Sequence, residues 1–136
     1  MWKIQIQKNL MSILVFLLLL GCASESPTDN NEINQDEAIE TAAEIALLPI
    51  PEISGSQVAP SNIHAEKMAV EEAAKRLNSN PDVFSVESPD TQVWLVSMDG
   101  VWLPASVPGV VQQPYRHLSI VIDAKTGLEI FRNMQP

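Results

Sequence analysis

The sequence predicts a small α+β domain, a helix packed on a short antiparallel sheet, carried behind a signal peptide and a disordered tether. Three observations lead there. An apolar run ends at the only cysteine of the 136-residue chain, Cys22. Alanines and isoleucines recur at helical spacing from Ala38 to Ala46, and an alternating apolar run, His117 to Ile122, enters a turn at Asp123 to Gly127. The length allows one modest domain with some chain to spare.

The chain opens with a short basic stretch carrying Lys3 and Lys8. Leu10 to Leu20 follows, apolar throughout except for Ser12. This run is well short of the roughly twenty residues that a membrane-spanning helix takes, so residues 1–21 read as a signal peptide. A thiol gains nothing from standing between an apolar run and a polar tail, whereas a membrane anchor belongs there. Leu19-Leu20-Gly21-Cys22 resembles the lipobox of bacterial lipoproteins. The resemblance implies cleavage after Gly21 and acylation of Cys22, which becomes the new N-terminus. Several acyl chains on one residue give stable membrane attachment, at roughly 0.8 kcal/mol per buried CH₂.

Residues 22–34 are polar, with Ile33 their only large apolar side chain. They cannot bury enough surface to offset the entropy of ordering, and are expected to be a tether. The domain is expected over residues 35–136. Asn34 and Glu37 have the spacing of a capping box, and Asp36 and Glu37 complement a helix N-terminus. Ala38, Ile39, Ala42, Ile45 and Ala46 then form one face, with Glu40 and Glu44 opposite, until Pro49 and Pro51 end the helix. Ile50 to Ser61 reads as a linker.

Val70, Ala73, Ala74 and Leu77 form a second helical face. Ile63 to Met68 fits either a strand leading into that helix or its first two turns. Gln92 to Val96 is rich in β-branched and aromatic residues, and Asp99-Gly100 predicts a tight hairpin between two strands. A loop from Pro104 to Pro114 follows. Leu118, Ile120 and Ile122 alternate with His117, Ser119 and Val121, the pattern of a sheet covered on one side. Asp123 is expected to cap its own turn, Gly127 to take the left-handed conformation, and Leu128 to Phe131 to return as a strand.

The alanine-rich helix "EAIETAAEIA", the strand "VWLVSMDG" and the hairpin "LSIVIDAKTGLEIF" together resemble a PepSY-type domain. The resemblance runs from Asp36 to Phe131 and rests on Ala38, Ala42, Val93 to Val96 and Val121 to Gly127. It implies a strand at Ile63 to Met68, a role in binding or modulating another protein, and a peptidase as the first partner to consider. The chain departs from a compact unit of that family by the insertion Val70 to Pro89 and by its proline-bearing loop.

No catalytic constellation stands out. The two histidines, His64 and His117, lack the spacing of a helical zinc site, no serine lies in a Gly-x-Ser-x-Gly elbow, and the glycines are too scattered to cradle a phosphate. No metal and no cofactor are expected. From Cys22 onward six bases face seventeen acids, a net charge of −11, which disfavours nucleic acid and anionic lipid headgroups. Trp94, between Val93 and Leu95, is expected in the core. Trp102, Val110 and Tyr115, on and around the proline loop, are the candidate partner-binding residues. The expectation is a non-enzymatic lipoprotein module on the extracytoplasmic face of a cell membrane, binding an envelope or secreted protein. A small-molecule or ion-binding lipoprotein and a structural envelope protein are the rival readings.

Overall fold

Asn34 opens the first helix by a reciprocal cap. Its side chain accepts from the Glu37 amide at 3.0 Å, while the Glu37 carboxylate accepts from the Asn34 amide at 2.8 Å. The computed structural model describes residues 32–51, 53 and 55–136, and the proposed cleavage and acylation sites Gly21 and Cys22 lie outside them. Helix α1 is Gln35–Leu47. Strand β1 (Ser61–Ala69) leads directly into helix α2 (Val70–Arg76), and a single 3-10 turn follows at Pro81–Phe84. Strands β2 (Gln92–Trp102), β3 (Tyr115–Asp123) and β4 (Glu129–Gln135) complete one antiparallel sheet in the order β1-β2-β3-β4. The described residues therefore form a small α+β fold.

One sheet face is covered along its length by α1. Ala38, Ala42 and Ala46 are essentially buried, and their small side chains let the helix approach closely over Val96, Met98, Leu118, Ile120 and Ile122. The other face carries a second core. There α2 and the 3-10 turn bring Val70, Ala73, Ala74, Leu77 and Phe84 onto Met68, Val93, Leu95 and Val121. The Phe84 and Phe131 rings sit 4.7 Å apart, centre to centre, in a tilted arrangement.

Ile63 to Met68 lies within a strand, which leaves α2 to start only at Val70. Asp123 caps its turn as expected: its side chain accepts from the Lys125 and Thr126 amides at 2.9 and 2.7 Å, and Gly127 has φ +71°. The returning strand is longer than expected and runs to Gln135.

Four expectations are corrected. Asp99-Gly100 makes no hairpin; β2 passes straight through it, and the extra residue is absorbed as a bulge against β3, between the pairs Asp99↔His117 and Trp102↔Tyr115. The glycine serves packing instead, since a Cβ there would stand 2.5 Å from the Trp102 ring. Strand β3 is buried on both sides at Ile120 to Ile122, because α2 covers Val121 on the face that alternation had assigned to solvent. The tether stops short of residue 34: the Ile33 amide donates to the Ala124 carbonyl at 2.8 Å, and the Ile33 carbonyl accepts from the Trp94 indole at 3.1 Å. Lys67 pairs with Glu32 at the same place. Finally, Trp102 is 1 % exposed and donates its indole N–H to the Ala46 carbonyl at 3.0 Å, so it locks the end of α1 to the sheet and offers no surface to a partner.

Two outcomes follow. Gly100→Ala forces the buried Trp102 ring to move and should destabilise the domain by about 1–3 kcal/mol, read as a lower urea midpoint with unchanged slope. Asn34→Ala removes half of the capping box and should cost about 1 kcal/mol, measured the same way.

Candidate functional site

The second sheet face changes character halfway along its strands. Where α2 lies, the cross-strand row is Glu66, Leu95, Val121 and Phe131. Beyond it, strand alternation sets His64, Ser97, Ser119 and Asn133 side by side in the next row, and Asp99, His117 and Gln135 in the one after. The same strand segments present Ala65, Val96, Met98 and Leu118 to α1 on the opposite face. Helix α2 has only seven residues and ends at Arg76, so it borders these rows without covering them, and they form a partly open polar half-face.

Hydrogen bonds fix most of these side chains. Asn62, held at φ +50° where the register of β1 breaks, donates its amide to Asp99 Oδ2 at 2.8 Å. The His117 Nδ1 atom bonds Asp99 Oδ1 at 3.0 Å, which aims the other ring nitrogen away from the carboxylate. At the β1 edge, His64 Nε2 meets Glu66 Oε1 at 2.9 Å, and Arg76 Nη1 donates to Glu66 Oε2 at 2.6 Å and Nε to Glu72 at 3.3 Å. These are exposed pairs, worth little to stability; their effect is to hold the side chains in place.

Between the two clusters lie Ser97 and Ser119. Ser119 is 5 % exposed, and its hydroxyl shares a single long bond of 3.4 Å with Ser97. Each hydroxyl can donate once and accept twice, so this pair keeps unused hydrogen-bonding capacity at the floor of the face. A hollow of about 260 Å³ lies above it, lined by His64, Glu66, Arg76, Leu95, His117 and Gln135 among others.

The hydrogen bonds from His64 and then Arg76 hold the Glu66 carboxyl below its usual range, and those from Asn62 and then His117 do the same for Asp99. Both groups therefore stay ionised to lower pH than a free carboxylate. Chemically the face offers oriented imidazole, hydroxyl and amide groups. The serines bond each other and His117 bonds Asp99; a serine-to-imidazole bond, the mark of an activated nucleophile, is not present among the described residues. Among those residues, too, no group of three or more His, Cys, Asp or Glu is placed to hold a metal ion.

Of the candidate partner-binding residues, Trp102 is in the core, Tyr115 is half-buried against it, and only Val110 is exposed. The polar half-face was missed. Its signal was present as polar pairs two residues apart on each strand: His64 and Glu66, Ser97 and Asp99, His117 and Ser119, Asn133 and Gln135. Set against protein-family models, curated proteins and solved structures, the chain matches none.

The lowered carboxyls carry a sign. A carboxylate whose folded pKa is depressed contributes stability above its ordinary value of about 4, and that contribution is lost as pH falls through the folded value. The wild-type domain should be less stable at about pH 3 than at about pH 6, and the Glu66→Gln, Asp99→Asn double variant should show a smaller difference between the two, measured by urea unfolding.

Proposed function

We propose that this protein is a lipid-anchored, extracytoplasmic, non-enzymatic module, with a PepSY-like domain that recognises another envelope or secreted protein through the polar half-face of its sheet. A peptidase is the first partner to test. The observation that carries the reading is the half-face itself: four strands present oriented polar groups on a surface that α1 leaves open and α2 only borders, where the nearly buried Ser119 makes a single long bond. A sheet that needed these positions only for stability would gain more by burying apolar side chains there.

The hollow on this face favours a macromolecule over a small ligand. At about 260 Å³ and open to solvent, it falls below the roughly 300–1,000 Å³ of pockets that engulf small molecules. The anchor is supported by the sequence at Leu19 to Cys22 and by the polar stretch that follows it. The described residues contain no helix long and apolar enough to cross a membrane. Attachment would then come from the acyl chains on Cys22.

Two measurements test this. Intact-mass spectrometry of the membrane fraction should give the chain from Cys22 plus acyl groups, and Cys22→Ala should abolish that mass; an unlipidated chain in both would defeat the anchor. Photo-crosslinking groups placed at His64 and Gln135 on the half-face should capture one partner in the cell, and the same group at Glu40, on the outer side of α1, should not. Equal capture from all three positions would defeat the half-face.

A further inference from the structure

From Glu25 onward, charge is spread through this chain except at one end of the domain. Residues 45–61 and 101–115 hold a single charged residue between them, Glu52. The fold brings the two segments together. The Ser56 amide donates to the Ala46 carbonyl at 3.1 Å, the Gln57 amide to the Val101 carbonyl at 2.9 Å, and Ile53 bridges to Pro104. Of the nine exposed large apolar side chains among the described residues, seven lie on these segments: Leu47, Leu48, Val58, Leu103, Val107, Val110 and Val111. Val111 is 91 % exposed. Apolar surface gathered in this way on an otherwise polar protein marks an interaction site.

We infer that this charge-poor end is a self-association surface that takes a second copy of the chain. Charge chooses the occupant and the contact. Two copies, each strongly acidic, repel one another through most of their surfaces, and this end, whose two segments carry Glu52 as their one charge, is where they meet with the least like-charge repulsion. Its composition fits too, for it offers Val, Leu and Pro without an exposed Arg or Trp to anchor an unlike partner. Acidic repulsion opposes the pairing, so the dimer is reversible, with two-fold symmetry that places the same patch on both sides.

Sedimentation equilibrium of the chain from residue 31 onward tests the inference, since this stretch contains both cores and every hydrogen bond described above. The expected mass is that of one copy at low micromolar concentration, rising towards two at high micromolar, with tighter pairing in added salt as the acidic repulsion is screened. Val110→Glu with Val111→Glu should leave the protein monomeric throughout, with an unchanged melting temperature because both side chains are exposed. A wild-type mass of one copy at every concentration, a dimer that survives both substitutions, or a dimer that weakens with salt would each overturn the inference. None of these outcomes depends on the anchor or on the half-face.

Discussion

The close contact between the alanine face of α1 and the sheet is the constraint on which the rest depends. Ala38, Ala42 and Ala46 supply almost no volume, so the first core is filled from the sheet by Met98, Trp102, Leu118, Ile120 and Ile122. A larger residue at any of the three would lift the helix off those side chains and break the bond from Trp102 to the Ala46 carbonyl. With one face sealed by a 13-residue helix, the other needs only partial cover, and the seven-residue α2 with its 3-10 turn provides that. The domain can then leave polar groups open on the remaining half.

That division explains how one sheet carries two kinds of surface. Near α2 the strands are buried on both sides and read as continuous apolar sequence, as in Ile120 to Ile122. Farther along the same strands the period of two returns, with apolar residues towards α1 and His64, Ser97, Asp99, His117 and Gln135 away from it. The Asn62–Asp99–His117 and His64–Glu66–Arg76 clusters orient their groups without relying on burial. A third surface, the charge-poor end, is set apart by composition alone.

Local chemistry was legible in the sequence. The capping box at Asn34, the alanine face and the Asp123 turn all appear where their residues place them, whereas the residues of Ile63 to Met68 left strand and helix open. What failed depended on contacts between distant parts of the chain. Asp99-Gly100 carries the letters of a hairpin, but its glycine accommodates the Trp102 ring, and nothing near it in sequence announces that. Trp102 looked like a surface anchor because its neighbours form a loop; its indole is turned inward to the end of α1, 56 residues earlier. Glu32 to Asn34 looked like tether because the groups that hold it, Ala124, Trp94 and Lys67, lie far along the chain. The half-face was readable in principle, but only once the four strands had been put in register.

The claim at the centre of this account is that the polar half-face exists for recognition and contributes little to folding. Thermal unfolding of Ser97→Val with Ser119→Val tests it most directly, because the change removes both hydroxyls of one long bond together and leaves no orphaned partner. The account predicts a melting temperature equal to or above that of the wild type, as expected where polar groups are kept at a cost to stability. A fall of several degrees would show that the hydroxyl pair is structural, and the reading of the half-face as a recognition surface would lose its main support.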